Sequence, residues 1–359
     1  MKKKKILFFV ESMGGGVFTY IVDLANELVK KYDMYIAYGI RKQTPDNYRD
    51  YFDRKIHLIR VNSFTRSINP SKDLNAFFEL LKIKNQVKPD IIHLHSSKAG
   101  VLGRIAFINS HIPLFYTPHG YSFLMQDQKK LKKDLYQIIE KLCGKIKCTT
   151  ICCSQGEYIE ACKVTKHAVR IDNGINTNRL QEVINQANIL RTDMEGTFTV
   201  FTLGRICRQK NPKAFNAIAQ SLPDIQFIWI GNGELRNELR SPNITVTGWV
   251  DRNQAISLAL RSDVFILPSL WEGLPISLLE AMYMKKPCIV SNVIGNRDVI
   301  KSGINGYLCN DVPDFVKAIE SIQESYPNNY IQKAYSEISS HYNIVKMAEQ
   351  YEKTYFCMH

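Results

Sequence analysis

Glu272 and Glu280 stand eight residues apart in PSLWEGLPISLLEAM, residues 268–282. A strand ending near Leu267 runs into a short loop there, and Pro275 opens a helix, because proline loses no hydrogen bond at a first helical position. The helix start offers free backbone N–H groups and a partial positive charge, both suited to a phosphate. At ~1.5 Å of rise per helical residue, the two carboxylates can address the two ends of one elongated ligand. A nucleotide diphosphate sugar has that shape, with hydroxyls at either end. Taken alone, the pair also fits a plainer reading, an acid at a helix start and a charge on a solvated face.

The surrounding segments favour the ligand. Arg205 and Lys210 lie in GRICRQKNP, residues 204–212, directly after an apolar run. Asn211 and Pro212 read as an N-cap and first helical residue, so both cations sit where a strand meets a helix. There they can neutralise a pyrophosphate, Arg through forked hydrogen bonds and Lys as a point charge. Asn232 and Gly233 form a tight turn at the same sheet edge. Around Val250 a third turn offers backbone groups to a base, while Asp251 and Gln254 form a capping box. In the first half, His119 follows a strand in Pro118-His119-Gly120; a satisfied loop histidine and a catalytic one both fit. His93 and His95 alternate on one strand face, and without a third ligand nearby they read as a buried strand end rather than a metal site. No Asp-x-Asp occurs in the chain, so metal is expected to be unnecessary at the diphosphate.

These residues need a scaffold, and the patterning supplies an α/β one. Short apolar runs at 5–10, 34–38, 56–61, 91–94, 113–117 and 149–153 alternate with helical patterns at 17–30, 74–86 and 134–142. The second half repeats the arrangement, with strands expected at 197–203, 225–230, 244–247, 264–267 and 288–291. Such alternation predicts parallel sheets covered by helices. Two domains follow, 1–170 and 196–340, separated by a polar linker at 171–195. Their strand ends would face a common cleft.

The chain has 359 residues with 45% hydrophobic and 23% charged side chains, the composition of a globular protein rather than a disordered one. No apolar run approaches the ~18–20 residues that span a bilayer, and the N-terminal lysines lead into no signal-peptide pattern. Nine cysteines without C-x-x-C spacing read as reduced cytosolic thiols. The net charge is +13, but residues 1–170 hold 29 basic and 15 acidic side chains, or +14, leaving −1 for the rest. That asymmetry points to an anionic partner of the first half. Lys129, Lys130, Lys132 and Lys133 open a segment in which Leu131, Leu135, Ile138, Ile139 and Leu142 recur at helical spacing. Such a helix suits an anionic membrane surface; a core-facing stripe with a solvated lysine face fits equally well.

Together GRICRQKNP, GNGEL at 231–235, GWVDR at 248–252 and the E-x7-E pair resemble the donor domain of retaining glycosyltransferases of family 4 (group 1). GGGVFTYIVDLANEL at 14–28, PDIIHLHSSKAGVLGRIA at 89–106 and YTPHGYSFL at 116–124 resemble its capsule and exopolysaccharide branch. The resemblance implies a GT-B fold, two Rossmann-like domains facing a cleft, with the segment 341–359 packing back on the first domain. It implies that Glu272 contacts the donor sugar, Glu280 the ribose, and Arg205 and Lys210 the diphosphate, with help from amides near Leu274 and Ile276. Gly15 and Gly16 would let the first domain approach the phosphates, and His119 would face the transferred sugar.

The expected activity is retaining, metal-independent transfer from a nucleotide diphosphate sugar, UDP-linked in the branch resembled, to a lipid-linked surface polysaccharide precursor. No other cofactor is expected, and the site would be the inner face of the plasma membrane. A UDP-sugar epimerase of the same architecture is the near rival. A nucleic-acid-binding protein would explain the charge but lacks any recognised motif, and Gly14–Gly16 lack the G-x-G-x-x-G spacing of a dinucleotide-dependent dehydrogenase.

Overall fold

The structure is a computed structural model and describes residues 3–11, 13–41, 43–65, 69–189 and 197–357. It divides into two compact units, Met1–Asn173 with Ile344–His359, and Gly174–Asn343. In the first, strands β1 (Lys5–Val10), β2 (Asp33–Tyr38), β3 (His57–Arg60), β4 (Ile91–His95), β5 (Leu114–Thr117), β6 (Thr149–Cys152) and β7 (Ala168–Arg170) form one sheet. All pair in parallel, in the order β3-β2-β1-β4-β5-β6-β7. Strand β1 is an unbroken apolar run, Ile6 to Val10, because helices cover both its faces. The connecting helices are α1 (Gly15–Leu28), α2 (Pro70–Val87), α3 (Ser97–Ala106), α4 (Lys130–Cys143) and α5 (Gln155–Ala161). Strand order reverses between β1 and β4, which opens a crevice at their C-terminal ends.

The second unit runs α6 (Thr177–Ile189), β8 (Thr199–Leu203), α7 (Pro212–Ser221), β9 (Gln226–Ile230), β10 (Ile244–Val246), α8 (Arg252–Arg261), β11 (Val264–Leu267), α9 (Ile276–Tyr283), β12 (Cys288–Ser291), α10 (Asn296–Val299), β13 (Tyr307–Cys309), α11 (Val312–Glu324) and α12 (Asn328–Ser340). Its parallel sheet has the order β10-β9-β8-β11-β12-β13, so the reversal here falls between β8 and β11. Phe215, Phe227, Trp229, Ile266 and Phe315 pack its core. Part of the span read as a linker is helix α6, which buries Leu180 and packs on α8; residues 190–196 lie outside the described ones.

Helix α13 (Ile344–Cys357) returns the chain to the first unit. Ile344, Met347, Tyr351 and Tyr355 join the core that α1 forms with the sheet. Helices α1 and α13 therefore line one face of that sheet. The core on the other face draws on α2 and α3, and α4 packs beside α3.

Candidate active site

In the second unit, the loops after β8 and β11 meet at the switch point, and they carry Lys210 and Glu272. Lys210 Nζ lies 2.7 Å from Glu272 Oε1. Gln209 donates through Nε2 to Glu272 Oε2 at 3.1 Å and to the Trp271 carbonyl at 3.0 Å, while the Leu270 amide donates to the Gln209 carbonyl. Glu272 is buried, so its carboxylate is held from two sides. Helix α9 starts four residues further on. Pro275 occupies its cap position rather than its first turn and supplies no side-chain cap. The amides of Ile276 and Ser277 have no carbonyl a turn earlier in the helix to bond. Leu274 and Ile276 are buried at this helix start.

Arg205 is placed differently: it pairs with Glu234, Nη2 at 2.8 Å and Nε at 3.0 Å from one carboxylate oxygen. Glu280 is buried and takes Arg252 Nη2 at 2.6 Å. Each carboxylate the sequence singled out thus has a cation beside it. Arg252 and Gln209 carry no spacing signal of their own, although Arg252 stands in the GWVDR segment. The three turns are brought together by close backbone contacts. Ile206 donates its amide to the Asn232 carbonyl at 2.9 Å, and a Cβ on Gly233 would fall 2.1 Å from the Ile206 carbonyl oxygen, so only glycine fits. Gly231 and Gly248 form an isolated bridge, which places Val250 and the Asp251 cap of α8 at the same edge. Gln254 and Asp251 form the reciprocal capping box that their spacing predicts.

In the first unit, Gly15 and Gly16 are the first residues of α1, beside the β1/β4 crevice. A Cβ on either would meet nothing within 4 Å, so open space lies over this helix end. His119 ends β5 in a left-handed turn, φ 55°, a conformation costing a residue with a Cβ about 1–3 kcal/mol. Glu157, wholly buried, holds that turn: the Gly120 amide donates to its Oε1 at 2.6 Å and the Cys153 amide to its Oε2 at 2.8 Å. Sequence reasoning missed Glu157; its only trace is Ser154-x-x-Glu157, a capping-box spacing.

Behind His119 lies a chain of buried rings. His95 Nδ1 is hydrogen-bonded to His119 Nε2 at 3.1 Å. His93 bonds Tyr355 Oη of α13 at 2.7 Å and Thr117 Oγ1 at 2.9 Å, and Tyr20 bonds Tyr351. Burial pushes the imidazole of His119 down to about 3 and those of His93 and His95 well below the ordinary range. All three are neutral near pH 7.

The family model described as "Glycosyltransferase Family 4" matches residues 14–179, and "Glycosyl transferases group 1" matches residues 197–325. The UDP-Gal:alpha-D-GlcNAc-diphosphoundecaprenol alpha-1,3-galactosyltransferase of Escherichia coli is 31% identical over 339 residues, 86% of each chain. The chain is a family 4 glycosyltransferase. Among solved structures, sucrose-phosphate synthase from Thermosynechococcus elongatus matches at TM-score 0.84 and 16% identity, covering 99% of each chain. Anabaena HepE, solved with UDP and glucose, matches at 0.78 and 17%, covering 98% of this chain and 99% of that one. The fold of this glycosyltransferase is accordingly GT-B, and its chemistry is sugar transfer.

Proposed function

We propose that this glycosyltransferase moves a hexosyl or N-acetylhexosaminyl unit from a UDP-sugar to a lipid-linked polysaccharide precursor, with retention and without a metal. The observation that carries this is the Lys210–Glu272 pair at the β8/β11 switch point, beside the open end of α9. A sugar diphosphate offers both an anion and hydroxyl donors. It can take Lys210 onto its phosphates while its sugar hydroxyls donate to the vacated Glu272. Arg205 and the α9 amides add donors for the diphosphate, and Glu280 accepts from the ribose. Asn232, Gly233 and Val250 edge the base. Lys210, once drawn off Glu272, then stabilises the leaving UDP together with Arg205 and the α9 amides, without a metal. UDP and the lipid-linked acceptor find support in the activity for which the Escherichia coli relative is named, and a lipid-linked acceptor would call for an enzyme that works peripherally at the inner membrane face.

In the first unit, Gly15 and Gly16 give phosphates access to the start of α1, and His119 faces the transferred sugar. His95 Nε2 is buried without a partner. An orphaned acceptor is less costly than an orphaned N–H, so His95 carries its proton on Nδ1 and donates to His119 Nε2. His119 then carries its own proton on Nδ1 and acts as a neutral donor toward a sugar oxygen.

The test is a thermal-shift screen across UDP, GDP and their sugars, followed by product analysis. Stabilisation by UDP-sugars, free UDP and a glycosylated lipid acceptor are expected, unchanged by chelator. A GDP preference, a rearranged sugar nucleotide or chelator-sensitive turnover would overturn it.

A further inference from the structure

Helix α4 turns its apolar stripe away from the protein. Leu131, Leu135, Ile138 and Leu142 are all exposed, Leu131 by 84%. At 3.6 residues per turn they fall within an arc of about 60° and run about 17 Å along the helix. The opposite side of α4 is anchored. Glu140 is buried, takes Arg104 Nη2 of α3 at 2.7 Å and accepts from Tyr116 Oη at 3.0 Å, and Cys143 is buried beside it. A core-facing stripe is therefore ruled out by the orientation that this ion pair fixes.

The neighbouring helices do the same. Leu74 and Phe78 on α2 are exposed, as are Ile105 on α3 and Ile108 just after it. Helix α2 packs beside α3, and α3 beside α4. Of the 14 large apolar side chains exposed among the described residues, eight belong to this one layer, whereas α1 and α13 together expose only Val345. The same layer is cationic: residues 70–147 hold 13 basic and six acidic side chains, and Asp73 and Glu140 are spent on Lys98 and Arg104. On α4, Lys132 flanks one side of the stripe and Lys130 and Lys141 the other. Among the described residues no helix is long and apolar enough to cross a membrane.

We infer that the outer face of the α2–α3–α4 layer is a membrane-docking surface, with α4 lying in the plane of an anionic bilayer. Its leucine and isoleucine side chains enter the headgroup and acyl boundary while the flanking lysines reach outward to lipid phosphates. Charge alone would give a salt-erased contact; the stripe adds a component that salt does not screen. This names the partner of the first unit. It rests on the reading above only for its purpose, bringing the enzyme to a lipid-linked acceptor.

The experiment is co-sedimentation of the whole chain with vesicles of phosphatidylglycerol and phosphatidylethanolamine, against phosphatidylcholine alone, at low and high salt. Binding to the anionic vesicles is expected, with a residue of binding at high salt. The double variant Leu135→Glu/Ile138→Glu should lose at least about tenfold in vesicle affinity, with stabilisation by UDP unchanged. Gln at Lys129, Lys130, Lys132 and Lys133 should remove the salt-sensitive part. In Leu135→Trp, indole emission should shift to the blue on the anionic vesicles and be quenched by brominated lipid. No binding by the parent chain, full binding by the double variant, or a parent dimer that the double variant splits without any vesicle binding would overturn the inference. Vesicle binding without stabilisation by UDP would instead strike the donor-site reading and leave this one standing.

Discussion

Lys210 is already occupied by Glu272 at 2.7 Å, so in the proposed donor site a diphosphate must compete with a carboxylate for the ammonium. Replacing Glu272 by Gln removes the competitor. UDP should then bind roughly two- to fivefold tighter, the worth of a modest ion pair, while kcat falls about a hundred- to a thousandfold for want of the sugar contact. Calorimetry and turnover on one preparation check this; weaker UDP binding with kcat intact would remove Glu272 from the site. His119 yields a second expectation. Because burial holds it at about 3, it contributes no limb to the kcat profile between about pH 5 and 8, and imidazole nitrogen NMR should find its proton on Nδ1. A proton on Nε2 would reverse the relay with His95. Spacing in the sequence exposes Lys210 and Glu272 because each lies in the loop that follows a strand, and Glu280 because it recurs eight residues after Glu272, inside α9. It does not expose Arg252 or Glu157, whose partners Glu280 and Gly120 stand 28 and 37 residues away.

At the scale of elements, the Arg104–Glu140 pair decides which way α4 faces. Burial alone would disfavour the charged guanidinium, but Glu140 keeps it charged and raises its pKa. Glu140→Ala should therefore cost about 3–5 kcal/mol by stranding Arg104, measurable by denaturant unfolding; Leu131→Ala on the opposite face should cost almost nothing. Gly295 is a second sensitive point. Its φ is 84° and a Cβ there would sit 2.4 Å from the Gly273 carbonyl oxygen, so Gly295→Ala should displace the Glu272 loop and lower kcat more than stability. The apolar runs 5–10, 264–267 and 288–291 coincide with β1, β11 and β12 because strands buried on both faces leave an unbroken signal. Edge strands β7 and β13 are three residues each and partly exposed, too short for a pattern. Periodicity revealed the stripe on α4 but was silent on its direction, which depends on one buried ion pair across 36 residues.

At the scale of the molecule, His93 joins the first sheet to the last helix through Tyr355. Tyr355→Phe leaves a buried ring nitrogen unpaired and should cost about 1–3 kcal/mol. His93 and His95 are lowered below their unfolded values by burial. The stability they lend is present above about pH 6.5 and drains away as pH falls from there toward their folded values, by up to about 1.4 kcal/mol per pH unit each. Unfolding free energies between about pH 5 and 7 should show this slope, reduced in His93→Gln.

The return of α13 also has a consequence for biosynthesis. The ribosome delivers Met1–Asn173 first and its closing helix last, with the 170 residues Gly174–Asn343 in between. At ~5–20 residues per second that interval is roughly 10–35 s. Throughout it the nascent sheet keeps the seat of Tyr351 and Tyr355 uncovered, an apolar surface open to aggregation until the last helix arrives.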